Sequence, residues 1–153
     1  MKVLLIIDMQ KGFISNKKYL KLNQKVNDFI SKSSYDKYIF TQFINKKSKN
    51  PFYQNKIGWQ GLTTKQEQDF SVALPKNSQV FKKYGYSLSQ DDLKSIKSLN
   101  ISEIDICGVK AEACVYAISL QLWDNGIYPN ILTNLVLGDK KMTKIYKKQF
   151  GSR

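Results

Sequence analysis

The sequence predicts an α/β protein of three layers, α-β-α and Rossmann-like, in which a mainly parallel sheet has helices on both faces. Short, continuous apolar runs such as residues 3–7 are typical of strands that are buried on both sides. These runs alternate with segments of helical apolar spacing, and such alternation is typical of parallel sheets. The 153 residues contain no internal repeat or linker, so we expect a single domain spanning 1–153.

The first half of the chain is predicted to contain two strands, one helix and a long loop. Residues 2–8 and 38–43 are apolar runs that predict strands. The segment near 18–33 predicts a helix because its apolar residues recur at helical spacing, at Leu20, Leu22, Val26, Phe29 and Ile30. Residues 45–61 combine a proline, glycines and aromatic residues without a period, which predicts a functional or flexible loop.

The second half is predicted to contain three strands and three helices. The strands are residues 79–83, 103–108 and 128–132. The first helix is capped by Ser89 or Asp91 and carries Leu93, Ile96 and Leu99. The second lies near 112–124 and ends at Asn125-Gly126. The third is a basic closing helix at 139–150.

The net charge of +13 comes almost entirely from lysine, since Arg153 is the only arginine. Arginine is the residue that reads bases and phosphates through paired hydrogen bonds, and the lysines are spread along the chain. We therefore expect no nucleic-acid partner. The first apolar run is too short for a signal peptide or a membrane span, so we expect a cytoplasmic protein without a membrane partner.

The two cysteines are predicted to differ in role. There is no CxxC or Cys/His spacing, so neither a zinc site nor a disulfide framework is indicated. Cys107 lies between apolar neighbours in a predicted strand and is expected to be an inert core thiol. Cys114 follows a strand and a glycine at the start of a helix, where free backbone N–H groups and the helix dipole favour a thiolate.

Three reactive side chains follow three predicted strands. Asp8 ends the first strand, Lys83 ends the third, and Cys114 follows the fourth. Because these strand ends face one crevice in a parallel sheet, we expect the three groups to meet. The chain contains no histidine, so a carboxylate or an amine must take the thiol proton. Such a set suits amide hydrolysis, with Asp8 as the base and Lys83 as an electrostatic stabiliser.

Three segments resemble motifs of the isochorismatase-like cysteine hydrolases, which include nicotinamidases and N-carbamoylsarcosine amidases. The segment 5–13 is similar to the first-strand motif that carries the catalytic aspartate, here Asp8. The segment 83–87 is similar to the lysine motif, whose spacing selects Lys83 over Lys82. The segment 107–115 is similar to the nucleophile motif. The resemblance implies an isochorismatase-like fold with an Asp8-Lys83-Cys114 triad and a dimer or tetramer.

The resemblance also implies an oxyanion hole formed by the backbone N–H groups of Lys110 and Cys114, after a cis bond between Val109 and Lys110. Nicotinamidases of the family carry a metal site of an aspartate and histidines after the second strand. Here this region reads TQFINKK from Thr41 and has no histidine, so we expect no metal and no other cofactor. Isochorismate hydrolases usually lack the cysteine, so Cys114 argues against that activity.

We therefore expect an enzyme that cleaves an amide or related C–N bond of a small molecule through a thioester at Cys114. The alternatives are a nicotinamidase or pyrazinamidase without the usual histidine metal site, and a catalytically idle binding protein of the same fold. Phe13, Trp59 and Tyr86 are the candidate pocket aromatics. For Tyr116, which lies on a predicted helix, core packing is the favoured interpretation over a pocket role.

Overall fold

The computed structural model describes residues 1–151, so Arg153 lies outside it. It contains a five-stranded sheet in which every pairing is parallel and the strand order is β3-β2-β1-β4-β5. The strands are β1 (Val3–Ile7), β2 (Lys37–Phe43), β3 (Ser78–Lys83), β4 (Glu103–Val109) and β5 (Tyr128–Leu137). The predicted α/β fold with a parallel sheet is confirmed.

In residues 1–151, six helices and one 3-10 turn at Lys11–Phe13 lie between or after the strands. The helices are α1 (Lys17–Lys32), α2 (Phe52–Asn55), α3 (Lys65–Gln68), α4 (Gln90–Lys97), α5 (Cys114–Asp124) and α6 (Met142–Phe150). The four longer helices were predicted, whereas α2 and α3 are single turns that are too short to show a period. Within residues 1–151, no helix is long and apolar enough to cross a membrane.

The core consists of two apolar layers, one on each face of the sheet. Successive residues of β1 point to opposite faces, as strand geometry requires. Leu4 and Ile6 pack on the side of α1, whereas Leu5 and Ile7 pack on the side of α4, α5 and α6. The helix residues buried in these layers are Leu22, Val26 and Ile30 of α1, Leu93 and Ile96 of α4, Ile118 and Leu122 of α5, and Met142 and Tyr146 of α6.

Two predicted boundaries are wrong. The strand predicted at 128–132 continues to Leu137, because β5 lies at the edge of the sheet and exposes Thr133 and Asn134 before the apolar pattern resumes. The closing helix begins at Met142 instead of 139. Asp139 starts a turn, in which its own carbonyl accepts the Met142 N–H at 3.1 Å.

The strand order determines where the predicted site residues meet. From β1 the strands are added on one side as β2 and β3 and then on the other side as β4 and β5. The strand order therefore reverses between β1 and β4, and such a switch point opens a crevice at the carboxyl ends of the strands. Asp8 follows β1 and Cys114 follows β4 at this crevice. Lys83 ends β3, which is separated from β1 by β2, about 10 Å across the sheet. A long side chain is therefore required for a group on β3 to reach Asp8.

Candidate active site

The structure brings Asp8, Lys83 and Cys114 together in a buried cluster. The Lys83 ammonium lies 3.0 Å from Asp8 Oδ2 and 3.2 Å from Cys114 Sγ. It also donates a hydrogen bond to the Gly85 carbonyl at 2.9 Å. All three residues are buried, with exposed fractions of 0% for Asp8, 2% for Lys83 and 5% for Cys114. An ion pair and two hydrogen bonds therefore hold the ammonium between the carboxylate and the sulfur.

The protein environment keeps Lys83 charged despite its burial. Desolvation alone would lower the pKa of the ammonium, but the charge of Asp8 and the interactions with Asp8 and Cys114 raise it overall. The Lys83 ammonium also lies 4.5 Å from the centroid of the Phe43 ring, at a distance typical of a cation–π contact. The buried cation is thus compensated by a carboxylate and an aromatic face.

Thr41 orients the Asp8 carboxylate. Its hydroxyl donates to Asp8 Oδ1 at 2.6 Å and accepts the Asp8 N–H at 3.1 Å. Asp8 has φ of 52°, a left-handed conformation that aspartate tolerates better than most residues. Within residues 1–151, no N–H or O–H group other than the Lys83 ammonium lies in bonding range of Oδ2. Oδ2 is therefore the carboxylate oxygen that can accept the thiol proton.

The structure contradicts the prediction that Cys114 rests as a thiolate. Burial is the largest influence and, with the charge of Asp8, it raises the pKa of the thiol more than Lys83 lowers it. The thiolate was predicted from the position of the sulfur at the start of a helix. Its burial beside the Asp8 carboxylate depends on the tertiary structure and could not be read from the sequence. Since the thiol keeps its proton at rest, a nucleophilic role requires Asp8 to remove that proton during the attack.

Cys107 lies in a different environment from Cys114. It is fully buried on the α1 side of the sheet, and burial followed by the charge of Asp105 raises its pKa to about 12. The two free thiols therefore belong to opposite core layers, with Cys114 on the side of α5. This placement agrees with the predicted core role of Cys107.

The raised pKa of Cys114 predicts a flat pH profile. A thiol of ordinary pKa, about 8.5, would increase kcat/KM as pH rises through that value. Here the thiol remains protonated and the Lys83 ammonium, whose pKa is also raised, remains charged. We expect kcat/KM for an amide substrate to change less than about two-fold between pH 7 and pH 9.5. An increase with a midpoint near 8.5 would show that thiol ionisation limits the reaction.

The loop between β4 and α5 is held in place by β5 and α6. The Ala111 N–H donates to the Leu137 carbonyl at 3.0 Å, and the Tyr146 hydroxyl donates to the Ala111 carbonyl. Glu112 Oε2 accepts the Asp139 N–H at 2.8 Å. These bonds tie the loop that precedes Cys114 to two separate elements, so its backbone is preorganised.

The two predicted oxyanion-hole donors lie in this loop, at Lys110, and at the first residue of α5, Cys114. The bond between Val109 and Lys110 is cis, as the resemblance implied. Within the described chain, neither the Lys110 N–H nor the Cys114 N–H donates to another protein group. Gly108, with φ of 122°, is required before the loop because a Cβ there would overlap the backbone of Ile7. The N–H groups of Lys110 and of Cys114 itself are therefore available to a ligand.

A cavity of about 570 Å³ opens beside Cys114. All three predicted pocket aromatics, Phe13, Trp59 and Tyr86, line it. Phe13 and Trp59 stack with their ring centroids 6.1 Å apart. Tyr116 also lines the cavity while it contacts Tyr146 and Phe150, so it serves both roles that the sequence left open. Tyr53 and Ile57, which also line the cavity, belong to the loop predicted at 45–61, whereas Phe43 at the end of β2 was not predicted to do so.

Gln10 is a buried polar residue whose role was not predicted from the sequence. Its side-chain amide donates to the carbonyls of Phe43 and Gln68, both at 2.9 Å, and accepts the Phe43 N–H at 2.9 Å. These bonds tie the segment after Asp8 to the end of β2. A glutamine two residues after the strand-end aspartate was the available signal, but its partners are distant in sequence.

The region after β2 does not fit the metal site of nicotinamidases. Asn45 donates its side-chain amide to the carbonyls of Trp59 and Gly61, at 3.0 and 2.8 Å. Its Oδ1 accepts from Gln54 at 3.3 Å, so this side chain braces the loop. Among residues 1–151, no three His, Cys, Asp or Glu side chains are grouped so as to hold a metal ion. The available donors therefore do not suit a transition metal.

Comparison with protein families gives one match that covers most of the chain. Residues 2–139 match the isochorismatase domain family. This span includes Asp8, Lys83 and Cys114. A search of curated proteins found no match.

Solved structures with the same fold include enzymes that act on amides. N-carbamoylsarcosine amidase from Thermoplasma acidophilum superposes with a TM-score of 0.81 at 14% identity, covering 99% of this chain and 94% of that one. Nicotinamidase from Bacillus subtilis gives 0.78 at 16%, covering 99% and 97%. Pyrazinamidase of Pyrococcus horikoshii, in complex with zinc, gives 0.76 at 21%, covering 97% and 93%. At these identities the likeness establishes the fold alone.

Proposed function

The chain belongs to the isochorismatase family of hydrolases, and on this premise we propose that it is a cysteine hydrolase. Its proposed reaction is hydrolysis of an amide or related C–N bond of a small molecule through a thioester at Cys114. One observation carries the proposal: a single buried ammonium, on Lys83, touches both a carboxylate and a thiol beside an aromatic cavity. A thiol and a base in contact, with a third group that orients them, are the signature of nucleophilic catalysis.

The first half of the proposed reaction forms the thioester. Asp8 Oδ2 takes the proton from Cys114 as the sulfur attacks the carbonyl carbon of the amide. The negative charge that develops on the substrate oxygen is stabilised by the N–H groups of Lys110 and Cys114. Asp8 then returns the proton to the nitrogen, the C–N bond breaks, and ammonia or an amine leaves. Lys83 stays protonated and stabilises the anionic partners throughout.

The second half releases the acid. Asp8 removes a proton from a water molecule, whose oxygen attacks the thioester carbonyl, and the same two N–H groups stabilise the second tetrahedral intermediate. When the C–S bond breaks, the proton held by Asp8 returns to the sulfur. The carboxylic acid product leaves and the thiol is restored, so the enzyme returns to its starting state.

A screen of small primary amides and N-carbamoyl compounds, with enzymatic detection of released ammonia, tests the proposal. The aromatic walls of the cavity favour small planar or apolar substrates, so nicotinamide, pyrazinamide and benzamide belong in the screen. Ammonia release by the wild type but not by a Cys114→Ala variant is expected. The absence of turnover across the panel, despite ligand binding in the cavity, would favour the catalytically idle alternative.

Asp8→Asn is expected to reduce kcat by at least about 100-fold, in line with the contribution of a general base. Asparagine keeps the shape of the side chain and an oxygen to accept from Thr41, but it cannot take a proton. Steady-state kinetics on the best amide measures the effect, and circular dichroism checks the fold. Thr41→Val, which removes only the orienting hydroxyl, serves as a milder comparison. Equal losses in the two variants would contradict a proton-transfer role for Asp8.

Hydrolysis is expected to survive chelators. The chain has no histidine, and the loop after β2 uses Asn45 to brace its own backbone. We predict unchanged kcat/KM after dialysis against EDTA, with metal content verified by elemental analysis. Activity that disappears on dialysis and returns with zinc, iron or manganese would contradict the metal-free mechanism.

A further inference from the structure

Among residues 1–151, the side chains that line the cavity beside Cys114 are mainly aromatic and aliphatic, and two of these wall residues are charged. These are Lys110 and Glu112, which lie on the loop that precedes the nucleophile. In a wall of this composition, a charged group that lacks a protein partner is a candidate for binding a ligand of opposite charge.

Glu112 already has a structural partner. Its carboxylate accepts the Asp139 N–H at 2.8 Å and thereby attaches the loop to the turn between β5 and α6. Lys110 differs, since within residues 1–151 no carboxylate lies within 4.0 Å of its ammonium. The Lys110 ammonium instead lies 5.8 Å from the centroid of Phe13, which stacks on Trp59 in the cavity wall. The cation is therefore held over an aromatic face and its hydrogen-bond donors are not paired with an acid.

We propose that the Lys110 side chain selects substrates that carry a carboxylate or similar anion in addition to the scissile amide. This inference rests on the proposed function, because it takes the cavity beside Cys114 as the substrate site. A charge-assisted hydrogen bond from the ammonium would anchor the anionic end of the substrate. The backbone N–H of Lys110 has a separate proposed role, which is to stabilise the oxyanion. Lys110 would thus couple substrate selection to the position of the reacting carbonyl.

Calorimetric titration of the Cys114→Ala protein with two matched ligands tests this inference. The ligands are 3-carbamoylbenzoate and 3-nitrobenzamide, which have the same planar outline and the same amide but differ in charge. We expect the carboxylate to bind about 5- to 10-fold more tightly, in the range of one charge-assisted bond at a partly exposed site. Adding Lys110→Met, which keeps the backbone N–H, is expected to abolish this ratio.

Lys11→Met is the matched control. Lys11 is exposed, lies in the same 3-10 turn as Phe13, and does not line the cavity. If general positive charge attracted the carboxylate, both lysine variants would weaken its binding equally. The proposal requires the ratio to persist in Lys11→Met and to disappear in Lys110→Met.

The outcomes separate this inference from the proposed function. Equal affinities of the Cys114→Ala protein for the two ligands, binding of neither, or a ratio unchanged by Lys110→Met would overturn the inference. A Lys110-dependent ratio would support it whether or not the wild type hydrolyses amides. A Lys110-dependent ratio together with no turnover of either compound or of the amide panel would reject the hydrolase function and leave an anion-selective binding site.

Discussion

Replacing Cys114 with alanine is expected to abolish amide hydrolysis and to leave the fold intact. The thiol is the only nucleophile in the proposed covalent route, and Asp8 and Lys83 would remain paired at 3.0 Å. Ammonia release should fall below detection, a loss of at least about 10⁴-fold. The thermal unfolding midpoint should change little, because alanine leaves only a small space beside the cavity.

Cys107→Ala is the matched control for this prediction. Cys107 is fully buried in the α1 layer and has no role in the mechanism. Its truncation should cost about 1–2 kcal/mol of unfolding free energy, through lost packing, and leave kcat/KM unchanged. Denaturant unfolding and steady-state kinetics of both variants decide the matter. Exchanged phenotypes would mean that the roles of the two cysteines were assigned wrongly.

Replacing Lys83 with methionine is expected to reduce kcat/KM by about 100- to 1000-fold, the range found when one preorganised electrostatic stabiliser is removed. Methionine approximates the apolar part of lysine but removes the charge that contacts Asp8 and Cys114. The Asp8 carboxylate would then be buried without its cation, so a lower unfolding free energy is also expected. Kinetics at several pH values, with unfolding measured in parallel, would separate the two effects.

Lys82→Met provides the control for Lys83. The two lysines are adjacent in β3, but Lys82 is exposed whereas Lys83 is buried. The same substitution at Lys82 should alter kcat/KM by less than about two-fold and stability by less than about 0.5 kcal/mol. Similar losses of activity at both positions would contradict the assignment of Lys83 to the site.

The sequence predicted the sheet, the longer helices and the meeting of three reactive groups. The apolar run Val3–Ile7 is typical of a buried strand and short for a helix, and the carboxyl ends of parallel strands share one edge of the sheet. The proximity of Asp8 and Cys114 could therefore be predicted from that geometry. Lys83 followed from the spacing of its motif, and the distance between β3 and β1 explains why a long side chain stands there.

Other features of the site depend on contacts between distant segments. Thr41 binds Asp8, and Gln10 binds the end of β2, across gaps of 33 residues in each case. The raised pKa of Cys114 arises from burial and from Asp8, which no local pattern around residue 114 reveals. Strand β5 is longer than predicted because an edge strand tolerates exposed polar residues such as Thr133.

Trypsin separates the two cysteines, which gives a direct test of a covalent intermediate. Cleavage after lysine places Cys107 in peptide 98–110 and Cys114 in peptide 111–140. The wild type would be mixed with its best amide substrate, quenched with acid during steady turnover, digested briefly and analysed by mass spectrometry. The proposed mechanism predicts that peptide 111–140 gains the mass of the substrate's acyl group, in the wild type but not in Cys114→Ala. An acyl group on peptide 98–110 would contradict a thioester at Cys114, and so would its retention by the alanine variant.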